Sequence, residues 1–280
     1  MAFAQLFKVR LEYFAHGQGP ERVVFIHGFQ ASARIWRMTQ EMLSAERYSS
    51  IAINNRGAGG SDAPPDETDF SIPIFAADAF ELVSQLGWRD FTLVGHSMGG
   101  PTATQFALDH PELLKSLILL DPADPDGGLS LPSGVTVDAA VDRMSAARRE
   151  QAGRGAGTDG VDAAAQGVPS DLLAALVADI RAAPERRLRG SMRSMLSLRL
   201  GERVKTLPMP ALLVAGDADA LIPISAMLAT WGKYPTGTGL HVWHGVGHSP
   251  NLDCPAEMAA LLRRFIEVTL PARVATPSAA

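Results

Sequence analysis

Residues 95–99 read Gly-His-Ser-Met-Gly, with Ser97 two positions from a glycine on either side. That spacing suits nucleophilic chemistry, because glycine leaves no Cβ where neighbouring backbone must approach closely. A serine hydroxyl is a weak nucleophile until a base takes its proton. Seven histidines compete for that role: His16, His27, His96, His110, His241, His244 and His248. A carboxylate must then fix the chosen imidazole in one tautomer and stabilise its cation. Asp217 and Asp219 lie in Ala215-Gly-Asp-Ala-Asp-Ala-Leu-Ile-Pro223, and Asp121 closes the apolar run Ser116-Leu-Ile-Leu-Leu120. Cys254 is the single cysteine. It excludes an intramolecular disulfide and any Cys-based zinc or iron–sulfur site. No elbow surrounds it, and it reads as a small buried residue. Neither a metal nor an organic cofactor is expected.

These residues need a scaffold. Phe7, Val9, Leu11 and Tyr13 alternate with charged residues, the period of a half-buried edge strand. Short apolar runs follow at 22–26, 50–53, 91–94, 116–120, 211–214 and 240–243. Strands buried on both faces belong to a mostly parallel sheet. Helical stripes fill the gaps: Ile74 to Leu86 ended by Gly87, Met98 to Asp109 stopped by Pro111, and a helix opened by Pro255. The alternation predicts an α/β fold, a doubly wound, mostly parallel sheet flanked by helices. Ser97 then falls in a strand-to-helix turn at the carboxyl end of a central strand, where such sheets place their sites. The helix that follows presents free N–H groups to a developing oxyanion.

Val94-Gly-His-Ser-Met-Gly-Gly100 resembles the nucleophile elbow of the α/β-hydrolase superfamily. His27-Gly28-Phe29 is similar to its oxyanion loop, and Arg56-Gly-Ala-Gly-Gly-Ser61 to its R-G-x-G-x-S loop. The match runs in order over 20–121 and 207–268. Asn54 departs from it, standing where members often carry Asp, with an effect expected on loop structure more than on chemistry. The resemblance implies Ser97 as nucleophile, His248 as base and Asp219 as acid, with Asp121 as the alternative acid. It implies the backbone N–H groups of Met98 and Phe29 as oxyanion hole. His27 would fix the oxyanion loop, and His96 would be held in the elbow beside the substrate pocket. His241 and His244 read as packing residues, His16 and His110 as surface turns, and Asp217 as a turn former. The Phe29 side chain reads equally as pocket wall or core.

The motifs need only about 200 residues, the size of one domain, out of 280. The hydrolase core is expected over 1–121 and 207–270, a helical cap or lid over 122–206, and a frayed tail over 271–280. Residues 141–205 hold 12 Lys and Arg against 8 Asp and Glu, which leaves 13 against 22 elsewhere in a chain of net charge −5. That balance excludes a strongly basic nucleic-acid binder. Within the insertion, helical segments near 136–151 and 170–200 flank Gly153, Gly155, Gly157, Gly160 and Gly167. Met144, Met192 and Met195 could line an apolar pocket roof.

The implied activity is acyl transfer to water: a serine hydrolase of carboxylic esters, with lactones and amides open to the same chemistry. The substrate would be a small molecule with an apolar portion. Alternatives on the same triad are carbon–carbon bond hydrolysis, thioester hydrolysis and acyl transfer; a non-catalytic receptor of the same fold is the remaining one. Serine at the elbow argues against the dehalogenase and epoxide hydrolase branches, which use Asp there. No apolar run reaches the 18 residues of a membrane span. A cytoplasmic enzyme without membrane or nucleic-acid partners is the expectation.

Overall fold

Eight strands hydrogen-bond side by side in the order β1-β2-β4-β3-β5-β6-β7-β8 in the computed structural model, which describes residues 1–127, 134–153 and 167–269. The strands are β1 (Ala2–Gln5), β2 (Arg10–His16), β3 (Glu21–Ile26), β4 (Tyr48–Ile53), β5 (Phe91–His96), β6 (Leu114–Leu120), β7 (Ala211–Gly216) and β8 (Gly239–Trp243). β2 runs antiparallel to both of its neighbours, and every pair from β4 to β8 is parallel.

Period-2 alternation divides each central strand between two cores. In β3, Val24 and Ile26 join one apolar cluster while Val23 and Phe25 join the other. In β6, Leu117 and Leu119 separate from Ile118 and Leu120 in the same way. Helices seal both faces. The helices are α1 (Arg37–Glu41), α2 (Ile72–Gln85), α3 (Gly99–Asp109), α4 (Val137–Gly153), α5 (Ser170–Ala182), α6 (Glu185–Ser197), α7 (Ile224–Trp231), α8 (Pro250–Asp253) and α9 (Pro255–Thr269). Phe75, Leu82 and Phe106 of α2 and α3 enter the first cluster, and Met258, Leu262 and Ile266 of α9 enter the second. The fold is the expected α/β sheet, doubly wound and flanked by helices. Among the described residues, no helix is long and apolar enough to cross a membrane.

Three local expectations are corrected. The predicted edge strand from Phe7 begins only at Arg10, because the Leu6 N–H closes a turn on Val9 O at 2.8 Å between β1 and β2 and leaves Phe7 88% exposed. Only Val9 and Leu11 of that alternation are fully buried. β8 is itself a sheet edge and is not buried on both faces; Val242 is exposed. The helix anticipated over 170–200 breaks into α5 and α6 at Pro184, whose ring forbids a continuous helix through Ala183.

The segment between β6 and β7 is helical where described. Its α5 buries Leu172, Leu176 and Ile180 in the second core, with Arg34–Asp179 and Arg37–Asp171 ion pairs at 3.0 and 2.7 Å. Its α6 docks elsewhere, with Arg189 on Glu67 at 3.1 Å and the Ser194 hydroxyl accepting the Ile72 N–H. The glycines at 155, 157 and 160 and the tail at 271–280 lie outside the described residues, as does the side-chain setting of Gly153.

Candidate active site

β5 delivers Ser97 at φ 53°, in the left-handed region that a residue with a Cβ enters at a cost of about 1–2 kcal/mol. The neighbourhood forces it there. The Ser97 N–H donates to Leu120 O at 2.9 Å, and Ser97 O accepts from Gly100 and Ala123 at 2.8 and 3.1 Å. A Cβ on Gly95 would lie 2.2 Å from Gly99 O, so the elbow closes only with glycine. Gln30, Asp90 and Asp121 share that region at φ 62°, 55° and 39°; Gln30 follows Phe29, and Asp121 follows β6.

The loop after β3 passes beside the serine, where a Cβ on Gly28 would come within 2.9 Å of Ser97 Cβ. Among the described residues, the N–H groups of Phe29 and Met98 have no hydrogen-bond acceptor. Two unoccupied amide donors beside one hydroxyl can bind an oxyanion. His27 anchors the loop from below: its Nδ1–H donates to Gly28 O at 2.8 Å, and its Nε2 accepts the Asn55 N–H at 3.2 Å. Burial, reinforced by the charge of Arg187, pushes its pKa down to about 3, so the ring stays neutral in the tautomer those bonds require. Asn54 Oδ1 accepts the Ala33 N–H at 2.6 Å, and its Nδ2–H donates to buried Glu12 at 2.5 Å. Arg187, 1% exposed on α6, donates to Ala31 O at 3.2 Å.

On the loops after β7 and β8, the His248 Nδ1–H donates to Asp219 Oδ2 at 2.6 Å. Asp219 Oδ1 accepts the N–H groups of Leu221 and Ile222 at 2.7 and 3.0 Å. Burial alone would raise this carboxyl; the hydrogen bond and charge of His248, with the two amides, hold it below the usual range. The bond leaves His248 Nε2 as the proton acceptor. Ser97 Oγ forms no hydrogen bond to His248, a looseness common in sites without substrate. Asp121, at the end of β6, is fully buried and accepts the Gly216 N–H at 3.1 Å. Burial, aided by the charge of Asp219, pushes its pKa up to about 9. One carboxyl is thus charged and its neighbour holds a proton.

Above this floor, Met192 and Leu196 of α6 pack with Ala140 and Val141 of α4, and Phe29 leans on that cluster. Ser97, Asp219 and His248 all stand at the carboxyl ends of parallel strands, with the Phe29 loop following another.

The α/β-hydrolase fold model matches residues 21–255. The chain belongs to that family. A fluoroacetate dehalogenase from a Burkholderia species is 39% identical over 108 residues, 38% of this chain and 35% of that protein. The hydrolase chain therefore spans about a third of that relative, in one matched segment. An uncharacterized protein of Mycobacterium bovis is 29% identical over 276 residues, 91% of this chain and 78% of the relative. An esterase from Exiguobacterium antarcticum superposes with a TM-score of 0.81 at 24% identity, covering 95% of this chain and 98% of that one.

In this α/β-hydrolase, the structure brings Ser97, His248 and Asp219 to one end of the sheet together with the amides of Phe29 and Met98. Other residues sit elsewhere than their sequence reading. His96 is buried, and its ring meets Trp36 edge-on. Met144 is 38% exposed on α4, and Met195 packs on the first core, as Phe29 also does. Met192 belongs to the cluster with Leu196, Ala140 and Val141, against which Phe29 packs. His244 is not a packing residue; its side chain is exposed and pairs with Asp217 at 2.7 Å. His110 stacks on Phe80 with ring centroids 3.7 Å apart. Cys254 is only partly buried. The contacts of Glu12 and Arg187 escaped the sequence reading, since each acts on a residue far away in the chain. The departure at Asn54 was the visible signal for Glu12: an aspartate at 54 would confront a second carboxylate.

Proposed function

We propose that the protein is a serine hydrolase of carboxylic esters that works through an acyl-enzyme. The carrying observation is the strained Ser97 beside two unbonded amides, at the same sheet end as a histidine whose Nδ1–H is committed to a buried aspartate. Ser97 Oγ attacks the carbonyl carbon as His248 Nε2 takes its proton. The N–H groups of Met98 and Phe29 hold the oxyanion, each worth roughly 3–4 kcal/mol in the transition state. His248 then protonates the departing alcohol, and water activated by the same nitrogen releases the acid. Asp219 stays ionised throughout and stabilises the imidazolium.

The relatives include a dehalogenase, so displacement at an alkyl carbon is the competing chemistry. An alcohol nucleophile disfavours it. Alkylation of Ser97 would give an ether, which water does not hydrolyse, whereas an acyl ester turns over. Residues 122–206 read as a cap whose Met192 and Leu196 meet an apolar portion of the substrate near Phe29. A fluorophosphonate probe tests the reading: it should label the wild-type protein and leave Ser97→Ala untouched. Equal labelling of both proteins, or no labelling of wild type alongside hydrolysis of no p-nitrophenyl ester, refutes it.

A further inference from the structure

His96 is the residue between the elbow glycine and the serine, and its ring is spoken for by neither oxyanion nor acid. Its Nε2–H donates to the backbone oxygen of His248 at 2.7 Å, across 152 positions of sequence. Its ring lies 5.0 Å from the His248 ring and meets Trp36 edge-on at 6.3 Å. Its other nitrogen, Nδ1, is buried without a partner and faces Gly28, where a Cβ would sit 3.1 Å away. A carbonyl oxygen can only accept, so one tautomer satisfies the site.

We infer that His96 is a positioning residue that ties the backbone of the base to the chain segment bearing the nucleophile. Ser97 makes no hydrogen bond to His248 in the resting enzyme, so their separation is set by the scaffold, and this bond is the direct tie between the two loops. The ring's neutrality agrees with it: burial first, then the charge of His248, pushes the His96 pKa down to about 3. The inference rests on the serine-hydrolase reading above.

Three substitutions separate the donor from the bulk. The amide nitrogen of His96→Gln reaches the place of Nε2, that of His96→Asn reaches only the place of Nδ1, and His96→Phe fills the volume without a donor. Each is compared with wild type for fluorophosphonate labelling rate, for kcat and KM on a p-nitrophenyl ester, and for thermal unfolding. The expected result is a fall in labelling rate and kcat of on the order of 10²-fold for Phe and Asn, the loss typical of a reacting group displaced by about 1 Å, with KM little changed. His96→Gln should recover most of that loss. Wild-type rates in His96→Phe, or a Gln variant as slow as Phe, overturn the inference while wild-type labelling keeps the hydrolase reading intact. Absence of wild-type labelling strikes the hydrolase reading instead. Nitrogen NMR of the wild-type imidazoles adds a readout that needs no variant. One ring should stay neutral with its proton on Nε2 between about pH 5 and 8, where an ordinary histidine titrates. A His96 ring that titrates in that range, or carries its proton on Nδ1, also overturns it.

Discussion

Asp121→Asn replaces a buried carboxylic acid by a neutral group of the same shape, and it should stabilise the protein. Folded Asp121 keeps its proton to about pH 9, against an ordinary value of 3.8. Between those limits the unfolded chain has released a proton that the folded chain holds. The unfolded state then binds fewer protons, so stability falls as pH rises, by about 1.4 kcal/mol per pH unit for one group. From 3.8 to pH 7 the accumulated penalty is about 4 kcal/mol. Asparagine has no such titration, and its amide oxygen still accepts the Gly216 N–H. Urea unfolding of both proteins at several values between about pH 5 and 8.5 measures the difference. The advantage of Asp121→Asn should be smallest at the acid end, and it should grow by about 1.4 kcal/mol per pH unit toward the alkaline end. Activity supplies the second half of the test. Because Asp121 carries no charge at neutral pH, Asp121→Asn should keep its kcat, whereas Asp219→Asn should lose about 10⁴-fold. A stability difference that does not grow with pH would mean an ionised Asp121. A kcat for Asp121→Asn as low as that of Asp219→Asn would move the acid to β6.

Asn54→Asp should cost about 1–3 kcal/mol in urea unfolding, since it sets a carboxylate against Glu12 and removes the bond between them. The same change in a Glu12→Gln background should cost less; an undiminished cost would show that Glu12 is not the cause. Ser97→Gly should be more stable than Ser97→Ala by about 1–2 kcal/mol, because only glycine accepts φ 53° without penalty. Equal unfolding midpoints would show a relaxed elbow. Met192→Ala should cost about 2–5 kcal/mol and raise KM more for long-chain than for short-chain esters. A KM that rises equally for both would take the apolar group of the substrate away from the roof.

The sheet was readable because its signals are local. Runs such as Arg22-Val-Val-Phe-Ile26 carry their own burial pattern, and Gly95 and Gly99 mark a turn that no other residue permits. Asp219 could be told from Asp217 by its resemblance to a known segment, and the geometry shows how they differ: Asp217 pairs with the exposed His244, Asp219 with the enclosed His248. What stayed illegible was long-range. Nothing near residue 12 announces that Glu12 holds Asn54, and nothing near residue 187 announces a bond to Ala31. Periodicity also fails at turns: the alternation through Phe7 continues past a reversal, because a two-residue period does not record direction. The methionines of the insertion carry the same side chain, yet Met144, Met192 and Met195 face three different environments, since helix orientation is decided by partners distant in sequence.

The bond from His96 to the His248 carbonyl spans more than half of the chain, as does that from Asn251 to Ile35 O. Contacts of such separation are slow to form, because the intervening loop must lose its entropy first. During synthesis the first six strands and Ser97 emerge before the last two strands and His248. A half-made chain therefore presents a hydroxyl with nothing to deprotonate it. Under the proposed mechanism, folding itself withholds the reaction until the segment carrying His248 docks.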